Sequence, residues 1–138
     1  MNGWINPGLN GPFSGSSAAL AFEKYRREGD FVRLAPSDAF VFLDERPDSI
    51  NDGWFRVETS GYSPLNLADL TITDLPAVYH NDATSFTFAD GHSEFHRWRG
   101  LQKLALKMAG GKRQAIPAPN DQDVQWLMEH ATKPTAAN

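Results

Sequence analysis

The stretch His80-Asn-Asp-Ala-Thr-Ser-Phe-Thr-Phe-Ala-Asp-Gly91 decides the fold of this chain. Phe86 and Phe88 alternate with small or polar residues, which is the period of a β-strand with one buried face. Asp90-Gly91 follows them, and this pair is a strong signal for a two-residue type I′ turn. The sequence therefore predicts a β-hairpin whose strands are 85–89 and 92–98.

The turn determines which residues of the hairpin lie opposite each other. If Asp90 and Gly91 alone form the turn, Ala89 faces His92 and Phe86 meets Phe95. The hairpin then has two distinct faces, a core face with Phe86, Phe88 and Phe95 and a polar face with His92, Glu94, His96 and Trp98.

The remaining elements predict an α+β fold with an antiparallel sheet of about four strands and flanking helices. Residues 39–43 are apolar on both faces, which favours a central strand. The pattern of 54–58 predicts a half-buried strand. A weak strand is expected near 70–72. Helices are expected at 18–27, 101–108 and 121–130, the last with early acidic residues that suit a helix N-terminus. By length 1–138 is a single domain, with an irregular segment 1–16 and a frayed tail 133–138.

Composition narrows the classes of function. The 138 residues carry a net charge of -4 and no cysteine. An acidic chain lacks the basic face of a nucleic-acid-binding protein, and without cysteine there is no disulfide, thiolate metal site or cysteine nucleophile. The apolar runs are only a few residues long, far short of the roughly 20 residues of a membrane span. The chain alone carries no secretion signal and is expected to be soluble.

The loop between the first two predicted strands is rich in oxygen ligands. It runs Asp44-Glu-Arg-Pro-Asp-Ser-Ile-Asn-Asp-Gly53. Calcium takes six to eight oxygens from a flexible loop, so this segment predicts a calcium site. Its candidate ligands are Asp44, Glu45, Asp48, Asn51 and Asp52. The alternative is that these side chains cap turns within a long hairpin loop.

Two histidine clusters are candidates for chemistry. His80 with Asp82 and Asp90 could form a ligand site or a general base, although a structural hydrogen bond between His80 and the Asp90 turn is the favoured interpretation. His92, Glu94 and His96 alternate along one strand and could bind zinc. A solvated or helix-covered sheet face explains that alternation better, so zinc is not the expected cofactor.

His80–Gly91 resembles the H-X9-DG signature of prepilin-type proteins, the pseudopilin-like family of type II secretion and type IV pilin systems. Further points of similarity cover most of the chain. They are Met1-Asn-Gly-Trp-Ile5, Phe42-Leu-Asp-Glu45, Asp48–Gly53, Leu75–His80, Phe88–His92 and Asn120–Thr132. The resemblance implies a pilin-like globular domain, in a family whose members carry an apolar N-terminal helix before an antiparallel sheet. The chain begins where the middle of such a protein would be.

The resemblance implies a structural or secretion-related role, a periplasmic or cell-envelope location and other pilin-like subunits as partners. It also implies calcium in a loop of the globular domain, as in major pseudopilins. The alternative from another class is a small calcium-dependent hydrolase of an ester or lactone, such as an acyl lactone. It would use His80 or His92 as base and Asp90 or Glu94 as orienting partner. A weaker alternative is a carbohydrate- or surface-binding module using Trp54, Tyr62 and Trp98.

Overall fold

The computed structural model describes residues 1–5, 21–60 and 62–135. Within these ranges the protein is mainly antiparallel sheet with one α-helix. The strands are β1 (Phe40–Leu43), β2 (Thr71–Ile72), β3 (Ala83–Phe88), β4 (Ser93–Arg97), β5 (Lys107–Ala109), β6 (Lys112–Gln114) and β7 (Ile116–Pro117). The helix is α1 (Gln122–Ala131), and short 3-10 turns occupy Glu28–Asp30 and Leu101–Lys103. The predicted mixture of helix and antiparallel sheet is confirmed.

The sheets are smaller than expected. One has three strands in the order β1, β3, β4, and two strand pairs, β2 with β7 and β5 with β6, stand beside it. Residues 54–58 do not form a strand, because within this segment only Phe55 makes a bridge, parallel to Asn2. The described residues contain no helix that is long and apolar enough to cross a membrane.

The β3/β4 hairpin forms as predicted, but its predicted register is wrong by one residue. Phe86 pairs with Glu94 and Ser85 with Phe95. Gly91 has a φ of +94°, whereas Asp90 is not among the positive-φ residues, and the Gly91 amide donates to the Phe88 carbonyl. The connection is therefore a three-residue loop of a type I turn followed by a left-handed glycine, not a type I′ turn.

A one-residue slip moves every side chain of the returning strand to the other face of the sheet. Trp98 is consequently buried, whereas Phe95 is 64% exposed. The buried face combines Phe86 and Phe88 with His96 and Trp98. The predicted core position of Phe95 and the predicted outward position of Trp98 are both wrong for this single reason.

Strand β1 forms where it was expected but lies at the edge of the sheet, not at its centre. Its outer edge is closed by the N-terminal segment, since the Asn2 amide donates to the Val41 carbonyl at 2.8 Å. The buried Asn2 Nδ2 donates to the carbonyls of Phe40 and Ala131, joining β1 to the end of α1. The continuous apolar run at 39–43 therefore does not mark a central strand, and Phe42 within it is 56% exposed.

Two predicted helices are replaced by extended chain where the structure describes them. Residues 21–27 are not helical, because the Tyr25 amide donates to the Trp4 carbonyl and the Glu23 amide to the Lys133 carbonyl. The predicted cap at Ser16 and Ser17, and 18–20, lie outside the described residues. These long-range backbone bonds outweigh the local helix propensity.

The predicted helix 101–108 stops after its first turn, and Leu104 is already extended. The Arg46 guanidinium donates to the Leu104 carbonyl at 2.7 Å. Gly110 and Gly111 both have positive φ, 58° and 71°, and turn the chain from β5 into β6. A Gly-Gly pair closes tight hairpins as readily as it ends helices, and here it closes a hairpin.

Helix α1 confirms the prediction for 121–130 to within one residue. Its N-cap is Asp121, whose side chain accepts from the amides of Asp123 and Val124. Val124, Leu127 and Met128 are buried in the core. Of the predicted frayed tail, 133–135 are held to the body of the protein, because the Thr135 amide donates to the Ala21 carbonyl and Pro134 bridges to Phe22. Residues 136–138 lie outside the described residues.

Candidate functional site

The acidic loop does not bring its oxygen ligands to one point. Asp48 accepts two hydrogen bonds from the Arg46 guanidinium, at 2.9 and 2.6 Å, and this contact lowers the pKa of Asp48. Asp52 accepts from the Trp54 amide, and Glu45 lies beside Arg113. Asp44 and Asn51 are exposed. In 1–5, 21–60 and 62–135, no three His, Asp or Glu side chains are grouped so that they could hold a metal ion. Calcium at this loop stays a prediction.

His80 and Asp90 lie at opposite ends of β3. His80 is exposed, and its ring contacts the edge of Phe95 with the ring centroids 5.3 Å apart. Asn81 and Asp82 follow with positive φ, and the Asp82 carbonyl accepts from the Trp98 amide. The structure therefore separates the predicted His80 and Asp90 pair along the length of a strand.

Asp90 instead forms a dyad with His92. Asp90 Oδ1 accepts from the His92 amide at 3.1 Å and lies 2.6 Å from His92 Nδ1. The hydrogen bonds from His92 lower the pKa of Asp90. The His92 ring also stacks on Phe88, with the centroids 4.5 Å apart and the planes at 5°. Since Nδ1 faces the carboxylate, Nε2 is the nitrogen left to accept or donate a proton.

Asp90 of this dyad helps to line a pocket of about 570 Å³, whereas His92 is not among the residues that line it. Most of its wall is apolar, from Ile5, Tyr25, Phe31, Pro36, Val41 and Ala89. A pocket of this volume is the size of an ordinary small-molecule site. We refer to it as the apolar pocket.

Glu94 and His96 do not join the dyad. Glu94 is exposed, whereas His96 stacks on the Trp126 indole with the centroids 3.7 Å apart. His130 stacks on the same indole at 4.1 Å, so Trp126 of α1 lies between two imidazoles. Burial lowers the pKa of His96, which favours its neutral form at neutral pH. The alternating His92, Glu94 and His96 thus belong to a helix-covered sheet face, one of the two structural interpretations that the sequence favoured over zinc.

A third cluster was not predicted from the sequence. Asp74 is 2% exposed, accepts from the Arg56 amide at 2.6 Å and forms an ion pair with the Arg113 guanidinium. Glu45 Oε1 lies 3.9 Å from Arg113 Nη1 and has no hydrogen-bond partner among the described residues. Burial raises the pKa of Glu45 to about 7, and burial also raises the pKa of Asp74.

Asp74, Arg56 and Arg113 line a second pocket, of about 520 Å³, between the acidic loop and the β5/β6 hairpin. We call it the hairpin pocket. Asn51, Asp52, Trp54 and Arg56 lie on the loop side, and Lys112 and Arg113 lie on the hairpin side. Sequence reasoning found the loop but missed Asp74 and Arg113, because nothing local marks residues 39 positions apart as partners. A lone Asp before Leu75-Pro76 and an Arg in a polar stretch were the only signals.

The aromatic residues suggested for carbohydrate binding are scattered. Trp98 is buried and donates from Nε1 to Thr84 Oγ1 at 2.8 Å, and Tyr62 packs against the main core. Trp54 lines the hairpin pocket. The structure does not bring these three aromatic residues together on one surface.

Comparisons of the chain with protein-family models, with curated proteins and with solved structures gave no match.

Proposed function

We propose that this chain is a pseudopilin-like globular domain with a structural, secretion-related role in the cell envelope. The proposal is supported by the H-X9-DG resemblance and by one structural observation, which is the asymmetry of the β1-β3-β4 sheet. Trp126 of α1 packs on Phe86 with the ring centroids 5.1 Å apart, so the helix covers one face. On the opposite face His80 packs against Phe95 and the Tyr25 cluster packs against Ala89, but two phenylalanine side chains remain largely exposed there.

The register identifies that face. Phe42 pairs with Thr87, and Phe95 pairs with Ser85, so both phenylalanines lie on the face opposite Phe86. Phe42 is 56% exposed and Phe95 is 64% exposed. Large apolar side chains grouped on a sheet face are characteristic of protein contact surfaces. We expect another pilin-like subunit to pack here, as the family resemblance implies.

The absence of cysteine makes a direct test practical. Ser93→Cys places one thiol on this face, since Ser93 pairs with Thr87, and Ser37→Cys places one on an exposed residue before β1. Each purified variant would carry a benzophenone on its thiol and be irradiated with envelope extract of the source cells. The Ser93→Cys protein should crosslink to a subunit that begins with a prepilin leader and apolar helix. Identical products from both variants, or a partner of another class, would overturn the proposal.

A second function, hydrolysis of an ester or lactone, is suggested by the His92–Asp90 dyad and by the apolar pocket that Asp90 helps to line. Asp90 would hold the imidazole so that Nε2 takes a proton from water while the water oxygen attacks the carbonyl carbon. The same proton would then pass to the departing alkoxide, and the pocket would hold the acyl chain. Of the two bases considered from the sequence, His80 and His92, this assignment keeps His92, and of the two orienting partners it keeps Asp90.

The hydrolase is tested with p-nitrophenyl butyrate and with an acyl lactone, in calcium and in chelator. If His92 is the base, His92→Gln should lower turnover by about a hundredfold or more. His80→Gln is the matched control, because it changes an exposed imidazole at the other end of β3 and should leave turnover unchanged. A wild-type protein with no rate above buffer, or equal rates in both variants, would remove this function.

A further inference from the structure

The hairpin pocket is lined by three cationic and two acidic side chains, so both signs of charge are present. Its cationic side chains are Arg56, Lys112 and Arg113, and its acidic ones are Asp52 and Asp74. Arg113 is engaged by Asp74 and Glu45, and Arg56 Nε lies 3.0 Å from Glu58 Oε2. Lys112 lies on the hairpin side of the pocket and Asp52 on the loop side. A ligand with a single net charge would therefore gain little attraction from the pocket as a whole, which favours a neutral ligand.

The same wall is dense in hydrogen-bonding groups that point to a particular neutral ligand. The Asn51 side chain provides both a hydrogen-bond donor and an acceptor, and the Asp52 carboxylate accepts. The Arg56 guanidinium donates hydrogen bonds within its own plane. Hydroxyl groups donate and accept at once, so a ring carrying several hydroxyls can satisfy such a set. Asn51 and Asp52 are exposed and within reach of a ligand, since they lie at the tip of the acidic loop.

Trp54 supplies the remaining feature of a sugar site. It is partly exposed and lines the pocket, and its Nε1 is buried without a hydrogen-bond partner in the described part of the chain. The part of the indole available to the pocket is thus apolar surface. Aromatic side chains of this kind provide a large, rigid contact area, and the C–H face of a sugar ring is its apolar counterpart.

We propose that the hairpin pocket binds a neutral carbohydrate, with Trp54 against one sugar face and Asn51, Asp52 and Arg56 bonded to its hydroxyls. The pocket volume, about 520 Å³, accommodates one or two sugar rings. The β5/β6 hairpin forms the far wall, and among the strands of the described residues its two strands pair with each other and with no third strand. Arg113 is its ionic contact with the body of the protein, so it positions Lys112 across from the loop. This inference is independent of the proposed assembly role, because the pocket is lined by different residues from the Phe42 and Phe95 face.

The test is calorimetric titration of the full chain with cellotetraose, chitotetraose and maltotetraose, each up to about 10 mM. At least one should bind saturably to the wild-type protein. Trp54→Ala and Asn51→Ala should each weaken that binding at least tenfold. Tyr79→Ala is the control, because it removes an exposed aromatic ring that does not line the pocket.

If Trp54→Ala does not fold, Asn51→Ala still tests the proposal, because Asn51 is exposed in a loop and its replacement should leave the fold intact. The indole N–H resonance of Trp54, assigned by comparison with Trp54→Phe, should move during the titration. Absence of binding by all three sugars would overturn the proposal, as would equal binding by Trp54→Ala and Tyr79→Ala. Tighter binding of glutamate or inorganic phosphate to the same pocket would overturn the neutral-ligand assignment.

Discussion

Asp123 is a buried carboxylate, and its removal should lower the free energy of unfolding of this protein by several kcal/mol. It is 3% exposed, and its Oδ2 accepts from the backbone amides of Arg99, Gly100 and Leu101 at 2.9, 2.8 and 2.9 Å. One carboxylate in the first turn of α1 therefore holds the chain that leaves β4. Replacing it by alanine leaves three amides without their acceptor.

The expected loss follows from the exposure of those amides. A hydrogen bond to a charged group contributes about 1.5–3 kcal/mol, and an orphaned buried donor costs about 1–3 kcal/mol. The Leu101 amide is buried, whereas those of Arg99 and Gly100 are partly buried and can reach water after a small shift. We therefore expect Asp123→Ala to lower the free energy of unfolding by about 3–4 kcal/mol, well below the simple sum.

Asp123→Asn keeps one acceptor without the charge and should lose about half as much. The assay is urea unfolding followed by circular dichroism, with thermal melting as a second measurement. For a domain of this size the Asp123→Ala midpoint should fall by about 10–15 °C. Asp69→Ala is the control, because Asp69 is exposed and such a change usually stays within about 0.5 kcal/mol. Equal losses in Asp123→Ala and Asp69→Ala would refute the reasoning.

Three further perturbations test other parts of the structure. Gly91→Val should destabilise by about 1–3 kcal/mol more than Gly53→Val in urea unfolding, because both sites are open but only Gly91 has positive φ; equal midpoints would contradict the left-handed turn. Glu45 has its pKa raised to about 7 from 4.5, so the stability due to its protonated form is complete below pH 4.5 and is lost as pH rises through 7. Glu45→Gln should accordingly gain stability relative to wild type between pH 4.5 and pH 8, and a constant difference would refute the shift. Calcium should raise the melting temperature over that in chelator, and more so in Arg46→Gln, which frees Asp48; unchanged midpoints in both proteins would remove the calcium site.

Local sequence signals were sufficient to predict the elements that are stabilised by contacts between residues close in the sequence. Asp121 caps α1 from within its first turn, and Asp90-Gly91 brings two adjacent strands together. These elements need only contacts a few residues apart, so residue type and spacing predict them. The Asp90–His92 dyad also joins residues two apart in the sequence, but the sequence analysis grouped Asp90 with His80 and His92 with Glu94 and His96.

The prediction failed where distant backbone groups compete with local ones. Residues 21–27 have helical spacing, but their amides bond to carbonyls of residues 4 and 133. No sequence window contains those partners. The pairing of Asp74 with Arg113 was invisible for the same reason, and with it the hairpin pocket.

The hairpin register illustrates how a small local error can change the whole description of a site. Type I′ turns and type I turns with a left-handed glycine both accept Asp-Gly, and they differ by one residue in loop length. That residue decides whether Phe95 or Trp98 faces the core, because side chains alternate along a strand. In the structure Gly91 is the residue of this loop with positive φ, which selects the type I turn. Phe95 therefore lies exposed on the sheet face opposite Phe86. The proposed contact surface at Phe42 and Phe95 thus depends on a single backbone angle, so the Gly91→Val measurement bears on the assembly proposal as well as on the turn.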